Sequence, residues 1–128
     1  MSNRLQYVKD KIVDLTNAKY RVATWRLKND KIVFTNGCFD IIHKGHVTYL
    51  AQAASLGNRL IVGLNTDNSI KRQGKGEDRP VNDEDSRALV LASLGFVEMV
   101  ILFDGDTPLE LIKELKPDVL TRSHRMVK

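Results

Sequence analysis

His43 and His46 stand three residues apart in the stretch Gly37-Cys38-Phe39-Asp40-Ile41-Ile42-His43-Lys44-Gly45-His46. Near the start of a helix that spacing puts two imidazoles on one face, where their ring N–H groups can aim at one anion. Gly37 allows a sharp turn and a close backbone approach to a ligand, and Gly45 keeps side-chain bulk off the first helical turn. Free amides there, with the positive end of the helix dipole, favour phosphate. In a nucleotidyl transfer negative charge shifts on the α-phosphate and onto the departing pyrophosphate. Preorganised donors at that place stabilise the transition state more than the ground state. An attacking phosphate monoester, with a second pKa of about 6, is mostly dianionic near neutral pH and needs no general base.

The same histidines admit other readings. Either could be a capping or core residue, and the two together could be zinc ligands, with Cys38 and Asp40 the nearest further ones. The combination of strand, glycine turn, paired histidines and helix favours phosphate. By residue type, Cys38 and Phe39 read as structural.

The elements that must hold this motif follow from apolar spacing. Leu5, Val8, Ile12, Leu15, Ala18, Val22 and Trp25 recur three or four apart, predicting one amphipathic helix from Leu5 to about Trp25. Lys31 to Asn36 is β-branched and aromatic and runs into Gly37, as a buried strand runs into a turn. His46 to Leu56 has helical spacing, with Gly57 placed to end it in a left-handed conformation. Arg59 to Leu64 reads as a second strand, Glu84 to Leu94 as a helix and Phe96 to Phe103 as a strand. Thr107 to Leu115 reads as a helix with Thr107 as N-cap and Pro108 in its first turn. Pro117 to Leu120 begins another strand. Strands alternating with helices predict an α/β, Rossmann-like, doubly wound parallel sheet with helices on both faces. Ligands then sit beyond the carboxyl ends of the strands where the strand order reverses, which brings the segment beginning at Gly37 to that place.

The 128 residues fit one domain: an N-terminal helix over 1–29, a core over 30–121 and a tail over 122–128. Hydrophobic residues at 42% and charged residues at 28% suffice for a packed core and exclude the disordered class. The net charge of +4 includes a local concentration at Lys71, Arg72, Lys75 and Arg79, which fits a nucleotide or sugar phosphate. Nucleic acid is not expected, because aromatics, at 6%, do not interleave with the charges. A single cysteine rules out an internal disulfide and fits a reducing cytoplasm. Neither a secretory signal nor a membrane span is read in the sequence.

Gly37, Cys38, Phe39, Asp40 and His43-Lys44-Gly45-His46 resemble the GxFDxxHxGH signature of the cytidylyltransferase-like nucleotidyltransferases. TNGCFDIIHKGHV, VGLNTDNSIKR, RPVNDEDSRALVLASL and LFDGDTPLELIKELKPDVL resemble the heptose 1-phosphate adenylyltransferase branch, over about Lys31 to Leu120. The resemblance implies ATP as nucleotide substrate, Mg²⁺, and a heptose 1-phosphate as nucleophile, feeding lipopolysaccharide core or related surface glycans. It implies that His43 and His46 contact the phosphates and that Lys71 helps hold the triphosphate, these three being the catalytic set. Asn36, Gly37, Cys38, Phe39, Gly45 and Arg87 would be nucleotide-binding. Asp40, Asn65 and Asp67 would face the acceptor sugar or the metal, although Asp67 or Asn68 could equally cap a helix after the strand. No protein ligand for the metal is singled out. Asp104, Asp106 and Thr107 read as a turn and helix cap.

After Leu120 the pattern departs from that branch, which usually continues Lys-Gly-Gly-Asp-Tyr, whereas this sequence reads Thr121 to Lys128 with His124 among them. A tail without the family's later strand and Ser-Thr-Thr clamp is the expectation, with apolar sheet exposed and self-association favoured. Two other readings keep a place: a CTP-dependent transferase acting on glycerol phosphate or phosphoethanolamine, and an inactive nucleotide-binding fragment. A homodimer is an option that no feature of the sequence decides.

Overall fold

A computed structural model describes residues 3–74 and 76–122. Lys75 of the basic stretch and residues 123–128 of the expected tail, His124 included, lie outside them. Four parallel strands, β1 (Ile32–Gly37), β2 (Arg59–Asn65), β3 (Met99–Phe103) and β4 (Val119–Leu120), form one sheet in the order β3-β2-β1-β4. From β1 the chain steps to β2 and β3 on one side, then returns to place β4 on the other. The reversal therefore falls at β1.

The strand residues alternate between two apolar layers, as the period of two requires. Val33, Leu60, Val62, Leu64 and Val100 pack with residues of α3 (Lys44–Ala54) and α5 (Glu84–Ala92). Ile32, Phe34, Ile61, Met99 and Ile101 pack with residues of α2 (Leu15–Leu27) and α6 (Leu109–Leu115). Both faces are thus covered, and each fully buried Leu, Ile or Phe stabilises by about 1.5–3 kcal/mol. The doubly wound sheet is as the sequence predicts. Among the described residues no helix is long and apolar enough to cross a membrane.

The single N-terminal helix over 1–29 is corrected to two: α1 (Arg4–Lys9), then α2. The apolar spacing runs through the break because Ile12 and Val13, each partly buried against the core, are placed there by another route. Ile12 bridges Val100 in parallel, Val100 N donates to Lys11 O at 2.9 Å, and Val13 N donates to Val100 O at 3.0 Å. This strap lies along the outer edge of β3. Asp14 then caps α2 by accepting from Asn17 N at 2.9 Å.

Other boundaries shift for local reasons. The helix predicted from His46 begins at Lys44 with His43 as N-cap. It ends in a right-handed Ser55, so Gly57 is not its left-handed cap. A Cβ at Gly57 would lie 2.8 Å from the Lys31 carbonyl, so close approach to β1 is what requires glycine there. Thr66, neither Asp67 nor Asn68, caps α4 (Asp67–Arg72), with its hydroxyl accepting from Ser69 N at 3.2 Å. Pro108, not Thr107, takes the N-cap position of α6. The strand predicted from Phe96 starts at Met99, after Val97 N has closed a turn onto Leu94 O.

Candidate active site

β1 delivers the chain to a loop over 38–42, and His43 opens α3 from an extended backbone. Gly45 N donates to His43 Nδ1 at 2.9 Å, and His43 N donates to His46 Nδ1 at 3.3 Å. An imidazole nitrogen that accepts a backbone N–H carries no proton, so each neutral ring bears its hydrogen on Nε2. The ring centroids are 4.1 Å apart. Burial, then the neighbouring His43, push the His46 pKa below its ordinary value, favouring that neutral form. The expectation of free amides is corrected in part: the amides of His43 and Gly45 are tied to the imidazoles, whose Nε2–H groups add donors of their own.

The glycines serve these rings. A Cβ at Gly45 would lie 2.8 Å from His43 Cε1, and one at Gly37 would lie 2.8 Å from Phe39 Cε2. The left-handed residue is Phe39, at φ +46°, and its buried ring meets His46 edge-on at 5.4 Å between centroids. Gly37 is therefore needed for the room that Phe39 takes, and not for a left-handed turn.

A cavity of about 900 Å³ opens beside the two histidines. Asn36, Gly37, Cys38, Phe39, Asp40 and Asn65 line it with His43 and His46, so the structure brings these predicted residues to one place. Ile41, Gln73, Arg79, Asp106 and Arg122 complete the wall.

Asp40 accepts from Arg79 Nη1 at 2.9 Å, from Val81 N at 2.8 Å and from Asn82 N at 2.9 Å, while its carbonyl accepts from Asn82 Nδ2 at 2.6 Å. Burial alone would raise its pKa. The two amides and the guanidinium outweigh that and hold the carboxyl below its ordinary range. The side chain predicted to face substrate is engaged in pinning residues 79–82 to the loop over 38–42.

Arg87, predicted to bind nucleotide, is 1% exposed and does not line the cavity. Its Nε donates to Asn82 O at 3.0 Å, its Nη1 to Cys38 O and Asn65 O at 2.8 Å each, and its Nη2 to Asp67 Oδ1 at 2.7 Å. It joins the ends of β1 and β2 to the 82 turn beneath the site. Asp67 is its counterion and does not line the cavity that Asn65 helps to form. Lys71 is exposed on α4 and also lies off the cavity wall. Its neighbour Arg72 turns to Asp104, 3.5 Å away, and Asp106, 3.7 Å away.

Sequence reasoning missed Arg79 as a wall residue and read Arg122 as tail. It also missed a polar network below the wall: Thr35 Oγ1 meets the Tyr49 hydroxyl, which bonds Thr121 Oγ1 at 2.6 Å. Thr121 N donates to Phe34 O at 3.0 Å, so the chain leaving β4 remains fastened to β1. Among the described residues no three His, Cys, Asp or Glu side chains converge as a metal group.

Two imidazole donors at the reversal point of a parallel sheet suit an anion such as a phosphate group. Comparison with known proteins narrows this: the cytidylyltransferase-like family model matches residues 34–128, and the chain belongs to that family. It is 54% identical over 113 residues to the bifunctional protein HldE of Magnetococcus marinus, covering 88% of this chain and 23% of that protein. It is 63% identical over 92 residues to the bifunctional protein HldE of Campylobacter concisus, covering 72% of this chain and 19% of that one. The chain thus spans about a fifth to a quarter of the length of these curated relatives. A crystal structure of the lipopolysaccharide core biosynthesis protein from Thermoplasma volcanium superposes with a TM-score of 0.65 at 33% identity, covering 71% of this chain and 72% of that one.

Proposed function

We propose that this chain transfers an adenylyl group from ATP to a heptose 1-phosphate, giving ADP-heptose and pyrophosphate. The observation that carries the reading is the pair of imidazoles whose Nδ1 atoms are occupied by backbone N–H groups, leaving two Nε2–H donors at the mouth of the sheet. An oxygen of the sugar phosphate attacks the α-phosphorus of ATP, the bond to the bridging oxygen breaks, and the electron pair leaves with pyrophosphate. In this reading His43 and His46 hold the phosphates along which charge moves, and Asn36 and Asn65 contribute polar wall. The heptose assignment is supported by the segment resemblances, by relatives bearing the name HldE and by the likeness to the lipopolysaccharide core biosynthesis protein of Thermoplasma volcanium.

Mg²⁺ belongs to the proposal as a companion of the triphosphate. It commonly binds through substrate phosphates and one or two carboxylates rather than in a cage built by the protein alone. Of the two carboxylates on the cavity wall, Asp40 is held by Arg79 and two amides, while Asp106, 3.7 Å from Arg72, is the one this reading assigns to the metal. The metal supplies charge neutralisation on the phosphate oxygens.

The test is pyrophosphate release from ATP, Mg²⁺ and heptose 1-phosphate, run beside CTP with glycerol phosphate or phosphoethanolamine. Release only with heptose 1-phosphate and ATP supports the reading. Faster release with CTP overturns it, and ATP binding with no release from any pair identifies a nucleotide-binding fragment.

A further inference from the structure

We infer that Arg79 is the cation that grips the phosphate of the attacking substrate, and that Asp40 is the residue that positions it. The inference rests on the proposed transfer and assigns the acceptor's half of the cavity.

Two phosphate-bearing substrates must meet there, and each anion needs its own set of donors. The histidine pair on α3 serves one. Among the described residues lining the cavity, the full positive charges are Arg79 and Arg122. Arg79 enters from the segment between α4 and α5, which follows β2, and Arg122 follows β4 on the other side of β1. The histidines, following β1, stand between them. In-line displacement needs its attacking and leaving oxygens on opposite sides of the phosphorus, and this layout supplies a cation for each side.

Arg79 is the one held in place. Asp40 Oδ2 fixes its Nη1 at 2.9 Å, and the amides of Val81 and Asn82 fix the carboxylate in turn. The Arg79 side chain is 40% exposed and that of Asp40 is 13% exposed, so the cation is reachable while its anchor is shielded. Nε and Nη2 of Arg79 have no partner among the described residues, which leaves one edge of the planar fork for two parallel bonds to a phosphate.

Charge decides which phosphate. The acceptor loses charge as its oxygen becomes bridging, so a cation that strongly stabilised that oxygen would favour the ground state and slow the reaction. A guanidinium already sharing its charge with Asp40 orients a phosphate monoester dianion with less of that penalty. The leaving pyrophosphate gains charge and is better served by the histidines and by Arg122.

The experiment measures KM for each substrate and kcat in wild type, Arg79→Met, Arg79→Lys, Asp40→Asn and the Asp40→Asn/Arg79→Met double variant, with thermal melts as a folding control. Loss of a charged bidentate contact should raise the heptose 1-phosphate KM by about 10- to 100-fold in Arg79→Met, with the ATP KM within about 2-fold. Arg79→Lys should recover part of the loss. Asp40→Asn should shift the same KM by less, and the double variant should be no worse than Arg79→Met alone. An ATP KM that rises as far as the acceptor KM, or additive losses in the double variant, overturns the assignment. Calorimetry with heptose 1-phosphate alone separates this from failure of the proposed reaction. Binding by wild type that Arg79→Met loses upholds Arg79 even where no pyrophosphate is released, and equal binding, or none by either, overturns it.

Discussion

The imidazole of His43 fills the space in which a side chain at residue 45 would begin: a Cβ on Gly45 would lie 2.8 Å from His43 Cε1 and 3.1 Å from Nδ1. The glycine is there for the ring, and the ring in turn is fixed by the amide of that same glycine at 2.9 Å.

Gly45→Ala separates stability from activity. Gly45 lies in the first turn of α3, where alanine's helix preference of up to about 1 kcal/mol over glycine is offset by loss of the His43 cap, so folding should change little. The displaced ring should lose its aim, and kcat should fall about 10-fold or more, as for a misplaced transition-state donor. Thermal melts and turnover measured on one preparation check both halves.

His43→Asn keeps an N-cap acceptor for the Gly45 amide but removes the Nε2–H donor. Stability should stay within a few tenths of a kcal/mol, whereas His43→Ala should lose about 0.5–2 kcal/mol. Both variants should lose about 10²–10³ in kcat. Equal activity in wild type and His43→Asn would remove this ring from the chemistry.

Arg87→Met should be among the most destabilising single changes in the chain. It would leave the carbonyls of Cys38, Asn65 and Asn82 and the Asp67 carboxylate without their shared donor, at a cost of about 3–5 kcal/mol. Urea unfolding measures the loss. A small effect would show that water replaces those bonds readily.

Acid should weaken the fold in two windows. The His46 pKa is depressed in the folded chain, so the unfolded chain binds a proton there more readily. That contribution is complete above the unfolded value of about 6.5 and is lost as pH falls through the lower folded value. Asp40 is depressed as well; its contribution is complete above about pH 4 and is lost as pH falls through its own folded value. Urea midpoints from pH 8 to 3 should show both declines, and His46→Gln should flatten the upper one alone.

The strands, their alternation with helices and the His43–His46 cradle were legible in the sequence because each rests on local periodicity or residue type. Roles among the charged residues were not. Arg87 and Lys71 were placed toward the phosphates, yet one is buried as a joint and the other stands off the cavity, while Arg79 does line it. A guanidinium looks the same in sequence whether it meets ligand or backbone carbonyls, since only the tertiary arrangement decides its partners. The break before Asp14 was hidden for a related reason: Ile12 carries helical spacing but is held against the core by its bridge to Val100, a contact 88 residues distant that no local pattern carries.

The buried guanidinium of Arg87 also constrains how the enzyme can move. One side chain rivets backbone from the ends of two strands and from the 82 turn, so that side of the cavity shifts as a single body or not at all. Adjustment to an arriving nucleotide then falls to side chains on the rim, Gln73 and Arg79 among them, rather than to a parting of loops.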